Sequence, residues 1–503
     1  MVDTDVLVVG AGPTGLTLGC ALRLHDVSVQ VIDRADSPAQ TSRANFLHAR
    51  GSEVLDRLGA LGTLPDEALR AMRITTYLGD RPLATLEFGD PGMQTAAPPM
   101  VSQAKVEAAL RGRLNELGVA PEWGRGLAAL EQDGATVTAQ LTDGTTVRAR
   151  WLVGCDGTSS TTRTLAGIGF PGIQLTERFL LGDLHLDWDL DRGGTSGWIH
   201  PDGVVGAMPM PDTTGRNDLW RLFAYDPSYP GKTGDSEILD RFRQIVPART
   251  GRNVHIGDAE WLSVFTVHRR LADTYRRGRV LIAGDAAHAH SPFGGQGMLT
   301  GIGDAEKLGF KLALVVHELA TDALLDTYEA ERRPLATEVL RGTSAVTRIN
   351  IASNPIARVL RDHVAPRLFN LAALQRWATY TASQLWVSYR KGPLGGAGHR
   401  KPRPGDRIAD IACGRTDGGR SRLHHELGGH WAVLIPAGTS PDIDIDIEEA
   451  RQRLGGHLRA LTYDGQQLML VRPDAHLAWT GRSGDVPGLM AWLTAALESG
   501  RTR

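Results

Sequence analysis

The residues best suited to hold a charged ligand lie at the start of the chain. Gly10-Ala11-Gly12-Pro13-Thr14-Gly15 fits the pattern GxGxxG, and Asp33 follows 23 residues after Gly10. Each glycine answers a separate need: Gly10 permits a tight turn, Gly12 lets backbone approach a diphosphate, and Gly15 lets a helix pack closely on a strand. The N–H groups and dipole of the helix that follows hold the anion. An aspartate at position 33 can accept both ribose hydroxyls of an adenosine. The chemistry is dinucleotide binding, and the motif alone does not separate NAD from FAD.

The elements that must position these residues are legible around them. Asp5-Val6-Leu7-Val8-Val9 is a short apolar, β-branched run, the pattern of a strand buried on both faces. Leu16 to Leu24 reads as a helix, and Val27 to Ile32 as a second strand ending at Asp33. This βαβ opening predicts a parallel sheet with a right-handed crossover. Two later runs, Trp151-Leu152-Val153 and Arg279 to Ala283, read as further buried strands. From about Phe179 to Val267, Trp188, Trp198, Trp220 and Trp261 stand among short alternating runs and turns, which predicts an antiparallel sheet. Those tryptophans read as core or sheet-face residues, not as a platform for nucleic-acid bases. Gly301 to about Lys391 is mostly helical, with breaks expected near Pro334, Pro355 and Pro366. A Gly/Pro/Arg-rich linker follows through Pro404-Gly405-Asp406, and the last hundred residues alternate helices with strands such as Trp431 to Ile435.

Composition sets the outer limits. The chain has 503 residues, enough for about three domains. Its 55 Lys+Arg against 57 Asp+Glu give a net charge of −2, so there is no basic excess for a nucleic acid or an anionic membrane. Cys20, Cys155 and Cys413 form no CxxC pair, which argues against disulfides and a metal site and suits a reducing cytoplasm. The start carries Asp3 and Asp5 where a signal peptide has basic residues. The uncharged stretch Leu7–Leu22 falls short of the roughly 20 residues a membrane span needs, and glycines and Pro13 interrupt it. A soluble, cytoplasmic, metal-free protein is expected.

Two further segments decide between the dinucleotides. One is Trp151 to Gly157, with Gly154-Cys155-Asp156-Gly157, followed by Ser160 and Arg163. The other runs from Gly278 through Gly284-Asp285-Ala286-Ala287-His288 to Pro292-Phe293-Gly294-Gly295-Gln296-Gly297. With the fingerprint, and in this order, they resemble the class A FAD-dependent monooxygenases, the group of para-hydroxybenzoate hydroxylase, phenol hydroxylase and the aromatic polyketide and rifampicin hydroxylases. Ser42-Arg43, His48-Ala49-Arg50, Gln103 and Arg472-Pro473-Asp474 also match, so the resemblance covers essentially the whole chain.

The resemblance implies an α/β fold of three units. An FAD-binding parallel-sheet domain of the Rossmann-like, GR2 type would comprise residues 1–178, with an excursion at about 72–100, and 269–395 with its helical region. An inserted antiparallel-sheet substrate domain would span 179–268, and a thioredoxin-like C-terminal domain 396–503. Lacking CxxC, the last would have no redox role and would serve stability or association, a homodimer included. Asp33 would hold the adenosine ribose with Arg34 beside it. Arg43 and Gln103 would reach the pyrophosphate and ribityl region, and Leu127 the adenine through its backbone. Asp156 and Gly157 would support the pyrophosphate region and the approach of NADPH, and Asp285 would bond ribityl oxygens. The residues agree independently, because the strand Val280 to Ala283 delivers Asp285 at its C-terminal end, where such sheets bind ligands. The turn Pro292–Gly297 feeds a helix whose start, Gly297, Met298 and Leu299, would stabilise negative charge on a reduced flavin.

Leu299 and Lys307 stand where the family usually has asparagine, and Asp33 where glutamate is commoner. His288 and His290 have no carboxylate or cysteine at ligand spacing in the sequence and read as structural. The implied function is an FAD-dependent, NADPH- or NADH-consuming monooxygenase that uses O2, through a C4a-hydroperoxyflavin, to hydroxylate an aromatic or polyketide-like small molecule of secondary metabolism. The cofactor supplies the hard chemistry, so no side chain is assigned as catalytic acid or base. Substrate is expected between the middle sheet and the flavin domain, with Trp198, Pro292, Phe293 and Gly294 lining its pocket. Leu299 and Lys307 motivate one alternative, a non-redox cyclase of natural-product assembly that holds FAD as a structural element.

Overall fold

In the computed structural model, which describes residues 2–40, 44–69, 73–87, 100–211, 215–229, 234–290, 295–350, 371–396, 401–439 and 447–500, the apolar N-terminal run forms β1 (Thr4–Val9). It pairs in parallel with β2 (Val29–Ile32) and β7 (Thr146–Gly154), and β14 (Val280–Ile282) continues the parallel sheet beyond β7. The hairpin β5 (Leu127–Gln132) and β6 (Val137–Leu141) joins β7 antiparallel, as β13 (Arg276–Arg277) joins β14. The crossover from β1 to β2 is α1 (Pro13–Arg23). After β2 come α2 (Ala49–Leu58), α3 (Leu64–Glu67) and α4 (Gln103–Glu116), and α5 (Thr161–Leu165) follows β7.

The second sheet runs β15-β12-β8-β11-β10-β9-β3-β4. Its strands are β3 (Arg73–Leu78), β4 (Arg81–Glu87), β8 (Gly172–Asp187), β9 (Gly194–Trp198), β10 (Val205–Pro209), β11 (Leu219–Tyr225), β12 (His255–Leu271) and β15 (His288–Ala289). Apart from the parallel pair β3 and β9 its pairings are antiparallel. The borders read from sequence at 178/179 and 268/269 fall inside β8 and β12, which pair from Gly172–Arg270 to Asp187–His255. The long ladder carries the chain across without a linker. α6 (Asp235–Thr250) covers one face, where Ile238, Phe242, Ile245 and Val246 pack on alternate residues of the strands.

The helical region holds α7 (Gly297–Val316), α8 (Ala323–Asn350) and α9 (Ala372–Ser383). α7 crosses α1 so closely that a Cβ on Gly309 would lie 2.6 Å from that of Ala21. α8 continues through Pro334, where a break was expected. Buried partners on both sides of the proline hold the helix in place, with Glu331 and Arg332 in ion pairs and Leu335 and Val339 in an apolar cluster. Pro355 and Pro366 lie outside the described residues.

The third sheet is mixed, in the order β17-β16-β19-β18-β20-β21. It comprises β16 (Ala412–Arg415), β17 (Arg420–Arg422), β18 (Trp431–Pro436), β19 (Leu458–Tyr463), β20 (Gln467–Val471) and β21 (Leu477–Arg482), with β18 and β19 parallel. α10 (Leu423–Glu426), α11 (Glu448–Arg453) and α12 (Val486–Ser499) flank it. One of its faces shares the core of the parallel-sheet unit, where Trp431 meets Phe310 edge-on at 5.5 Å. Among the described residues no helix is long and apolar enough to cross a membrane, and no cluster of His, Cys, Asp and Glu could hold a metal.

Candidate flavin and substrate site

The fingerprint loop is tight where packing requires it and open where a ligand belongs. Gly10 has φ +108°, and a Cβ there would lie 2.5 Å from the Cys155 carbonyl oxygen; one on Gly15 would lie 1.9 Å from that of Gly10. At Gly12 nothing lies within 4 Å of the Cβ position. α1 starts there with Pro13 in its first turn and no side-chain cap, so its N–H groups remain for an anion. Asp33 Oδ2 accepts the Ala11 N–H at 2.7 Å, and Oδ1 accepts that of Ala35 at 2.8 Å. The backbone leading to Leu127 runs along this strand end: Asp33 donates to Glu122 O, Arg125 donates to Asp33 O, and a Cβ on Gly126 would lie 3.2 Å from that of Arg34. Asp33, Arg34 and the approach to Leu127 are thus brought together at one strand end.

The two later motifs converge on the same loop. Asp156 accepts from Thr162 N–H at 2.9 Å and from the Ser160 hydroxyl, so its carboxylate braces α5, while Gly157, at φ +80°, has open space at its Cβ position. Arg163 donates to Ala286 O at 2.9 Å and ties this motif to the next. The turn Gly284–Ala286 packs on the fingerprint, since a Cβ on Gly284 would lie 2.5 Å from Thr14 Oγ1, and Asp285 is exposed between buried neighbours. Gln103 opens α4 and donates to Glu107 at 2.8 Å; burial pushes the Glu107 carboxyl up. Gly297, Met298 and Leu299 form the first turn of α7, which has no side-chain cap. Leu299 is buried, with Cδ1 3.4 Å from the Cβ position of Gly51. Its place in this chain is an apolar contact with α2. Arg43, Pro292, Phe293 and Gly294 lie outside the described residues.

Trp198 requires a correction. It is 1% exposed in the core under α6, stacked on Tyr77 at 5.3 Å, and so lines the helix-covered face of the sheet. The face turned to the flavin unit is the other one. There Arg221 makes a two-pronged pair with Asp183, both bonds 2.6 Å, and also donates to Asn45 Oδ1, while Asn45 donates to Met210 Sδ at 2.9 Å. Beside these anchors lie Phe179, Phe223, Tyr225 and Phe265, the last stacked on Phe179 at 5.4 Å. Phe46, next to Asn45, stacks on His48, and both approach the Cβ position of Gly295 within 3.5 Å. The segment 44–48 therefore joins the sheet to the turn before α7. Sequence reading named none of Asn45, Asp183, Arg221 or Phe265, although strand alternation marks the last three as same-face neighbours.

Behind the flavin turn lies a buried ionic network. Lys307 pairs with Asp474 and, at 3.4 Å, with Glu331, which also takes Lys311 at 2.7 Å and Arg472 at 2.9 Å. Burial, with Arg472 nearby, lowers Lys307 to about 8 despite its carboxylate partners. His288, without a carboxylate near it in sequence, meets Asp304 at 2.6 Å in space. Of the three departures from the family pattern, Leu299 thus has an apolar contact and Lys307 a set of buried ion pairs within this chain.

A family model described as an FAD binding domain matches residues 3–343. The chain is 41% identical to 6-methylpretetramide 4-monooxygenase of Streptomyces rimosus, across 98% of this chain and 93% of that one. It is 33% identical to rifampicin monooxygenase of Streptomyces venezuelae, across 98% and 99%. The solved structure of anhydrotetracycline hydroxylase from Streptomyces rimosus superposes with a TM-score of 0.81 at 30% identity, covering 99% of this chain and all of that one. With a family model over most of its length and relatives of this identity across nearly the whole chain, the chain belongs to the FAD-binding family and, within it, to the class A flavin-dependent monooxygenases.

Proposed function

We propose that this monooxygenase transfers one oxygen atom of O2 to an electron-rich carbon of a polycyclic, polyketide-type aromatic molecule, with NADPH or NADH as reductant. When bound, FAD supplies the electron transfer and the oxygen activation. The chain's residues bind and orient. The N–H groups of α1 and the open backbone at Gly12 suit the diphosphate, Asp33 the ribose and Asp285 the ribityl chain, while the start of α7 presents a positive dipole to the reduced ring. The aromatic side chains of Phe179, Phe223, Tyr225 and Phe265 would help to keep water from a bound cofactor and substrate.

The observation that carries the substrate class is the face of the second sheet opposite α6. Phe179, Phe223, Tyr225 and Phe265 form an aromatic cluster on the face that carries the Arg221–Asp183 ion pair, a face suited to a flat, weakly polar ring system. Anaerobic mixing with NADPH or NADH and a panel of polycyclic phenols is expected to bleach the flavin. Aerobic turnover is expected to yield a product heavier by one oxygen. Absence of bleaching with every member of the panel would count against the proposal. Leu299 and Lys307, which motivate the cyclase alternative, each have a partner within this chain, and the monooxygenase relatives leave that alternative the less supported of the two.

A further inference from the structure

Asp304, on α7, is fully buried beneath the flavin-holding turn. Its Oδ2 accepts the Gly284 N–H at 3.0 Å and meets His288 Nε2 at 2.6 Å, which fixes Nε2 as the donor nitrogen. Its Oδ1 accepts from Arg332 Nε at 2.6 Å. Arg332 also donates to the Thr300 carbonyl in α7, at 2.9 Å, and to the Tyr389 hydroxyl, at 2.8 Å. Tyr389 belongs to no motif. It lies beyond α9, its ring 3.7 Å beneath the Lys307 ammonium that Asp474 of the third sheet neutralises. One chain of contacts thus joins the C-terminal unit to the turn that presents Asp285.

We propose that Tyr389 is a positioning residue for the flavin. Its hydroxyl fixes the Arg332 guanidinium, which in turn orients and neutralises Asp304 and so sets the Gly284–Asp285 turn against the fingerprint loop. In a low-dielectric interior an arginine deprived of one acceptor reorients, and the carboxylate it serves loses compensation. The proposal rests on the flavin reading of the site. FAD binding by the unaltered protein tests that reading separately.

The test is Tyr389→Phe, which keeps the ring and removes only the hydroxyl. FAD is titrated into the deflavinated protein by fluorescence quenching, and the midpoint potential of bound flavin is measured against a reference dye. The FAD Kd is expected to rise about tenfold, the size of one charge-assisted hydrogen bond. The potential is expected to become more negative, because a less neutralised Asp304 disfavours the electron-rich reduced ring. Arg332→Lys should move both readouts in the same direction, and Tyr389→Phe added to it should change neither further, since the two act in series. Tyr463→Phe is the control: its hydroxyl bonds Gln467 O at 2.6 Å within the third sheet, so it should move the melting temperature and neither flavin readout. A Tyr389→Phe protein with Kd within twofold and an unchanged potential overturns the proposal, as does full additivity in the double variant. Should Tyr389→Phe fail to fold, Arg332→Lys is decisive on the same readouts: a shift supports the chain of contacts and no shift overturns it.

Discussion

The ammonium of Lys307 on α7 is paired, away from water, with the carboxylate of Asp474 in the loop after β20, so two units of the protein neutralise one another. Burial acts to raise the Asp474 carboxyl, but Arg472 and Lys307 outweigh it and hold it well below its ordinary value. Lys307→Met leaves part of that charge uncompensated and is expected to cost about 3–5 kcal/mol of unfolding free energy. Lys307→Met combined with Asp474→Asn should cost less than the two single changes added together. Urea denaturation of the four proteins checks both statements.

Acid should destabilise the fold in two stages. Burial lowers His25 and His476 to about 3, so from the ordinary 6.5 downward the unfolded chain takes up protons that the folded chain does not, and stability falls with pH across that window. Glu53 and Asp304 are held at about 2 against burial, the first by Arg407 and Arg50, the second by Arg332 and His288. Their contribution is complete above the ordinary 4.5 and 3.8 and is lost as pH falls toward 2. Denaturation midpoints should decline from neutral pH and decline more steeply below about pH 4.5. His25→Gln should flatten the upper stage, and a midpoint constant from neutrality to about pH 4 would refute it.

Gly12 and Gly10 should separate binding from folding. With open space at its Cβ position, Gly12→Val is expected to leave the melting temperature of the apoprotein unchanged while raising the FAD Kd more than about tenfold, by obstructing the diphosphate. Gly10→Ala meets both a positive φ and the Cys155 carbonyl, and should destabilise the apoprotein itself by about 1–3 kcal/mol or more.

The two faces of the second sheet should respond differently. Trp198→Ala opens a cavity under α6 and is expected to cost about 3–5 kcal/mol, with KM close to that of the unaltered enzyme. Phe265→Ala, half-buried on the face opposite α6, should raise KM with a smaller loss of stability. Steady-state kinetics beside thermal melts distinguish the pair, and equal effects on KM would contradict the assignment of faces.

What could be read from sequence was what local spacing encodes. β1, α1 and β2 fall within two residues of their expected bounds, apart from the start of α1, because apolar runs and a glycine fingerprint lie within one short stretch. Trp198 shows where that legibility ends. Strand alternation divides a sheet into two faces, but only the packing of α6 decides which is covered. Lys307 is a departure in a motif until its partner, 167 positions away, is seen. Tyr389 had no signal at all, since a tyrosine beyond a helix becomes significant only through the arginine it faces.

Pro171 accepts a hydrogen bond from Leu271 at 3.1 Å, and Gly172 stands opposite Arg270 in the ladder. The chain therefore departs for most of the second sheet and returns from it at a single point. All of the second sheet but β15 and the β3–β4 edge hangs from that junction, while the parallel sheet is assembled from segments on either side of it. Recombination there could exchange one substrate preference for another as a cassette, leaving the redox machinery beneath undisturbed.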